Sequence, residues 1–158
     1  MRRGAKVIRR FLLILLVLLL VMVLGGGLYV YQRPLRVLAW AERRNLEKSG
    51  YRKSAVATPN GNLAVWESGQ GPVLVLLHGA GDQAGVWSGV APALRAHYRV
   101  LIPDLPGHGD SEPAAGPLPM GVVLGGLERL VDARAGQERV ALVGSSFGAW
   151  VAMVYAQR

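Results

Sequence analysis

The 158-residue chain contains no cysteine, which excludes disulfide frameworks, thiolate metal sites and cysteine nucleophiles. It has no internal repeat and no low-complexity tract, so solenoid and array architectures are excluded as well. A basic surface on the folded portion is also missing. Up to Lys53, twelve Lys/Arg stand against only Glu42 and Glu47, whereas from Ser54 onward six Arg face eight Asp/Glu. The formal charge of +8 therefore belongs to the N-terminal segment, and a nucleic-acid partner is disfavoured.

What the chain does have is one long apolar run, FLLILLVLLLVMVLGGGLYVY, from Phe11 to Tyr31 without a charge. As a helix, these twenty-one residues span about 31 Å, against a hydrocarbon core of about 30 Å. Tyr29, Tyr31 and Trp40 fall where an interfacial aromatic belt is expected. The segment reads as a transmembrane anchor over 11–31, preceded by a basic N-terminus over 1–10. Residues 32–53 read as a basic juxtamembrane helix or linker able to lie against anionic headgroups. The competing reading is a cleavable signal, since Phe11–Leu24 also fits an apolar signal core. Its small-residue site, Ala39-Trp40-Ala41, lies fifteen residues beyond Leu24, farther than cleavage normally reaches. Arg2, Arg3, Lys6, Arg9 and Arg10 form a denser cluster than Arg33, Arg36, Arg43 and Arg44. That bias places the N-terminus in the cytoplasm and the following domain outside it, or secreted if the segment is cleaved.

Residues 54–158 read as a folded domain. VATPNGNLAVWESG predicts a hairpin around Pro59-Asn60-Gly61. PVLVLL, RVLIP and RVALVG are continuous apolar runs, each ending abruptly in a turn, as buried parallel strands do. Helices are expected over 88–98, with Ser88 as a cap and Pro92 in the first turn, and over 120–135, with Leu124, Leu127, Leu130 and Val131 on one side. A third begins at SFGAWVAMVYAQR. This order predicts a three-layer, mostly parallel α/β sheet with an antiparallel start.

The chemistry concentrates where the last apolar run ends. Gly144-Ser145-Ser146-Phe147-Gly148 is a G-x-S-x-G pattern centred on Ser146, set between a strand and a helix. A serine on such a sharp turn needs glycine two positions before and after, because neighbouring backbone passes too close for a side chain. Centred on Ser145, the flanks become Val143 and Phe147, both too large, so Ser146 is the candidate nucleophile and Ser145 a spacer. After the first parallel strand, His78-Gly79-Ala80-Gly81 forms a loop able to aim the Ala80 amide at a reacting carbonyl oxygen, with the Phe147 amide as second donor. His78 is expected to shape this loop, with Gly79 and Gly81, rather than to act as the base. Trp87 and Phe147 are candidates to line an acyl pocket, with core packing the commoner role for Trp87.

Taken together, the His-Gly loop, the Asp104–Ser111 turn DLPGHGDS and the Ser146 elbow resemble the α/β-hydrolase superfamily over about residues 54–158. The preceding apolar segment makes the chain similar to membrane-anchored monoacylglycerol-lipase-like lipases and esterases. The resemblance implies a serine hydrolase that cleaves small-molecule or lipid-derived carboxylic esters through an acyl-enzyme, with no metal or organic cofactor. It also implies that Asp104 and His108 are structural and that the triad acid and histidine follow the elbow. The 158 residues then correspond to the N-terminal half of such a domain, truncated after the nucleophile helix, and are expected to be inactive by themselves. The rival expectations are hydrolysis of an amide or C–C bond with the same nucleophile, a non-catalytic membrane-tethered module, and a truncated gene product.

Overall fold

The computed structural model describes residues 2–113 and 116–158, with side chains from Arg9 onward. Residues up to Leu38 and residues Ala39–Arg158 form two compact units. The first is dominated by α1, Arg2–Gln32, within which Arg9–Gln32 is long and apolar enough to cross a membrane and is not buried by protein. A second helix, α2, runs over Pro34–Lys48. Proline at its first position fits, because the N–H that proline lacks would have no intrahelical partner there.

The second unit is built on a five-stranded sheet in the order β1-β2-β4-β3-β5. Strands β1 (Arg52–Thr58) and β2 (Gly61–Ser68) form the antiparallel hairpin, closed by Thr58 opposite Gly61. Gly61 has φ 112, and the Thr58 hydroxyl donates to its carbonyl at 2.6 Å. Strand β4 (Arg99–Pro103) pairs antiparallel with β2, while β3 (Val73–Leu77) lies parallel to both β4 and β5 (Val140–Gly144).

Two apolar cores lie on opposite faces of the sheet, giving three layers. On one, Leu124, Leu127 and Leu130 of α4 (Met120–Arg134) and Val151 of α5 (Phe147–Tyr155) pack on Val65, Val75 and Leu101. On the other, Leu46 of α2 and Ala91 pack with Trp66, Leu76 and Ile102. Strand side chains alternate between faces, so one strand feeds both cores.

Three expectations change. The compact unit begins at Ala39 rather than Ser54, because Leu46 and Tyr51 are fully buried and the Tyr51 hydroxyl donates to the Ala91 carbonyl at 2.8 Å. The helix expected over 88–98 is instead a 3-10 turn, Ala84–Gly89, followed by a single α turn, α3, over Ala91–Leu94. The Gln83 side chain, not Ser88, caps that 3-10 turn by accepting from the Gly85 amide at 2.8 Å. Finally, β5 is not wholly buried: Ala141 and Val143 are exposed, since β5 pairs only with β3 among the described residues.

Candidate active site

The parallel strands β3, β4 and β5 all end on the same side of the sheet, so the loops after them meet there. The Ser145 amide donates to the Leu77 carbonyl at 3.0 Å, continuing the β3–β5 ladder one residue past β5. Then the chain breaks direction. Ser146 adopts φ 50 and ψ −115, and it is the sole non-glycine residue with positive φ among the described residues. A side chain held there costs about 1–3 kcal/mol, and such strain persists only where the surroundings enforce it.

Those surroundings are the two glycines. A Cβ on Gly144 would strike the backbone of Gly148 and Ala149, and one on Gly148 would strike the carbonyls of Leu77 and His78. Helix α5 thus starts pressed against the end of β3, with Ser146 exposed at its N-cap. Ser146 makes no side-chain capping bond, and its hydroxyl has no hydrogen-bond partner among the described residues.

The loop after β3 runs beside this elbow. A Cβ on Gly79 would lie 3.6 Å from both the Ser145 carbonyl oxygen and the Ser146 Cβ. Residues 79–82 close a turn in which the Asp82 amide donates to the Gly79 carbonyl at 3.2 Å, with Gly81 at φ 76. That is the conformation of a type II turn, in which the third residue takes positive φ. Neither the Ala80 amide nor the Phe147 amide has a hydrogen-bond partner among the described residues. These two spare donors belong to the two loops that meet beside Ser146.

His78 is fully buried and spent on structure. Its Nε2 accepts from the Leu105 amide at 2.9 Å, which leaves Nδ1 as the protonated nitrogen donating to the Gly79 carbonyl at 2.8 Å. Burial pushes its pKa below the ordinary value, opposed only in part by the Gly79 bond and the Asp104 charge. Asp104 is equally committed. One carboxylate oxygen accepts from the Ala84 amide at 2.6 Å and the other from the Asp110 amide at 2.9 Å, while Gly109 packs against the carboxylate. The Ser111 hydroxyl donates to the Asp104 carbonyl at 2.6 Å and accepts from the Ala64 amide at 2.8 Å. The turn after β4 is thereby locked to β2.

The remaining site candidates separate. Phe147 stacks on His108 with centroids 6.3 Å apart and meets Trp150 edge-on at 6.0 Å. His108 in turn lies 5.2 Å from the His78 ring, and its Nδ1 lies 3.0 Å from the Pro106 carbonyl oxygen. Trp87 packs against the core on the α2 side of the sheet. His97 precedes β4 and sits at the opposite end of the parallel strands from Ser146.

Sequence reasoning missed Arg43. Its Nε donates to Gln83 Oε1 at 2.9 Å and its Nη1 to Asp110 Oδ1 at 3.0 Å, tying α2 to both the 3-10 turn and the β4 turn. Glu42 accepts from Gln83 at 2.7 Å in the same cluster. In the sequence Arg43 is one of many basic residues, and the partners lie forty or more positions away. The available signal was Leu46, an apolar residue one turn farther along the same helix.

An exposed, strained serine at a strand-to-helix turn, with a glycine loop alongside at the same end of a parallel sheet, defines hydrolase-type α/β proteins as a class. Residues 72–158 match the family described as alpha/beta hydrolase fold, and the chain belongs to that family. Among curated relatives, it is 54% identical over 55 residues to the pimeloyl-[acyl-carrier protein] methyl ester esterase of Aeromonas hydrophila, covering 35% of this chain and 21% of that protein. It is 35% identical over 102 residues to a 2-hydroxy-6-oxo-6-phenylhexa-2,4-dienoate hydrolase of Burkholderia cepacia, covering 57% of this chain and 33% of that protein. Among solved structures, a membrane phospholipase A described as a bacterial virulence factor aligns with TM-score 0.68 and 33% identity, covering 95% of this chain and 48% of that one. A putative lipase of Acinetobacter baumannii aligns with TM-score 0.64 and 27% identity, covering 77% of this chain and 40% of that one. The chain thus spans at most about half the length of these proteins.

Proposed function

We propose that this chain belongs to a membrane-anchored serine hydrolase that cleaves carboxylic esters, lipid-derived esters among them, with Ser146 as nucleophile. The observation that carries this reading is the Ser146 backbone, strained at φ 50 by Gly144 and Gly148, with its hydroxyl exposed. Strain held at a polar, exposed residue is a cost that packing does not explain.

In this reading the Ser146 oxygen attacks the acyl carbonyl carbon, and a histidine accepts its proton. The tetrahedral oxyanion is held by the Ala80 and Phe147 amides, helped by the N-terminus of α5. The C–O bond to the leaving alcohol then breaks as the imidazolium returns the proton, and water releases the acyl group by the same steps. His78 cannot serve as the base, since both its ring nitrogens are engaged within the fold. Asp104 cannot orient a base, because both its oxygens accept backbone amides. With His97 at the opposite end of the parallel strands and the His108 ring packed on Phe147 with its Nδ1 at the Pro106 carbonyl oxygen, the reading assigns the base and its acid to further polypeptide of the whole protein, and requires no metal or organic cofactor. Support for the ester class comes from the esterase, phospholipase and lipase among the similar proteins, and support for the anchor from the Arg9–Gln32 helix. The basic bias ahead of that helix supports a hydrolase domain outside the cytoplasm.

The test is ester turnover by the whole protein in its membrane. Ser146→Ala should lower turnover of a p-nitrophenyl ester by at least about 1,000-fold, and Ser145→Ala should leave most of it. Equal losses from the two substitutions would contradict the assignment.

A further inference from the structure

A groove between α2 and the β1–β2 hairpin, with Asp110 of the turn after β4 in its lining, has a cavity of about 240 Å³. Arg43, Arg44 and Lys53 line it, facing Glu47 and Asp110, so its lining holds three cations against two carboxylates. Trp40 stands at its rim, 65% exposed, and Trp66 forms a buried wall. We infer that this groove binds the phosphodiester headgroup of an anionic lipid, an inference that rests on the reading of α1 as a membrane anchor.

Four features point that way. First, the Trp66 indole N–H is buried without a partner among the described residues. A buried donor left unmade is destabilising until an acceptor arrives, and a phosphate oxygen becomes that acceptor once the Trp66 wall shifts to admit it. Second, the cations keep donors in reserve. Arg44 spends only one terminal nitrogen, on Glu47 at 3.2 Å, and Arg43 leaves Nη2 3.8 Å from Asp104, too far for a hydrogen bond. Burial draws the Asp110 pKa upward, but the Lys53 hydrogen bond and the Arg43 and Lys53 charges outweigh it and hold the value below its usual one. The groove's lining thus sets three cationic side chains against two carboxylates, with the buried Asp104 carboxylate behind Arg43.

Third, the flanking composition suits a lipid surface rather than a free anion. Trp40 follows Gln32, the end of the apolar helix, by eight residues, and Arg33 and Arg36 lie between them. Basic residues just beyond a span are drawn to anionic lipid, and an exposed tryptophan there is at home among headgroups and glycerol. Fourth, the groove is small and charged. It suits a headgroup and not an acyl chain.

The test uses the full chain, carrying 15N-labelled tryptophan, in micelles of a neutral detergent, titrated with short-chain phosphatidylglycerol. The Trp66 indole resonance should shift and saturate. Arg44→Glu should weaken binding by about tenfold, whereas Arg129→Glu, the same charge change on α4, should leave it nearly unchanged. Dispersed indole resonances in both variants establish that they fold. Equal weakening by the two substitutions would reduce the effect to general charge and overturn the site. An unmoved Trp66 resonance would also overturn it, as would saturation by inorganic phosphate at equal concentration, which marks a free-phosphate site. Partition of the chain between membrane and water is measured on the same preparation. A chain that stays in water contradicts the anchor reading and this inference together, while a membrane-bound chain with Trp66 unmoved contradicts the headgroup site alone.

Discussion

The turns that follow β4 and β5 use the same residue types, glycine beside short polar side chains, and spend them in opposite ways. After β4, Asp104 and Ser111 are buried and every side-chain polar atom they carry is engaged with backbone. After β5, Ser146 is exposed, its hydroxyl is unspent as a cap, and its backbone is strained. The first turn converts polar groups into rigidity, and the second spends stability to present one. A polar residue with all its partners inside the fold is structural however suggestive its type. An exposed one that the fold strains to display is the stronger functional candidate.

That contrast can be broken in stability measurements, beginning where the effect is largest. Asp104→Ala strands the Ala84 and Asp110 amides and opens a hole in a fully buried turn, and should cost about 3–5 kcal/mol in chemical denaturation. A loss within error would remove Asp104 from the structural side. Ser111→Ala deletes one buried donor–acceptor pair and should cost about 1–2 kcal/mol. Ser146→Gly should move the other way, raising stability by about 1 kcal/mol through relief of the positive φ, while Ser145→Gly should not stabilise. A Ser146→Gly protein less stable than the parent would mean that the elbow is not strained.

The remaining effects are in pH. His78 is held neutral by burial, so its pKa in the folded protein lies below the ordinary 6.5 that it regains on unfolding. Below pH 6.5 the unfolded chain therefore binds the proton and the folded one does not, and stability must fall as pH drops. The slope from this one group is at most about 1.4 kcal/mol per pH unit. Ring nitrogen resonances of His78 should titrate with a midpoint below 6.5, with the neutral Nδ1–H form above it, and a midpoint at or above 6.5 would contradict its structural role. At the alkaline end, burial pushes the Tyr51 pKa up to about 12, so stability present below pH 10 should be lost as pH rises from 10 toward 12.

Much of the site was legible because it rests on short-range rules. Glycine two positions either side of Ser146 is a steric requirement within five residues, and both contacts it foretells are present at Gly144 and Gly148. The strands were legible for the same reason, since a continuous apolar run bounded by turns is a local signal. What escaped was settled by distant partners. Composition made residues 39–53 part of a basic linker, yet Leu46 completes a core with Trp66 and Ile102 and Arg43 bonds across more than sixty positions to Asp110. The 3-10 turn at Ala84–Gly89 follows from the Gln83 side chain, whose orientation Arg43 and Glu42 fix from α2. Likewise, the stacking of His108 on Phe147 joins two turns that no spacing rule relates.

Site mapping of a covalent serine probe tests the central assignment most directly. The whole protein is treated with a fluorophosphonate, digested, and the adduct located by mass spectrometry on the peptide containing both serines. Labelling confined to Ser146 is the predicted result, and it should disappear in Ser146→Ala while persisting in Ser145→Ala. An adduct on Ser145, or undiminished labelling of the Ser146→Ala protein, would contradict it.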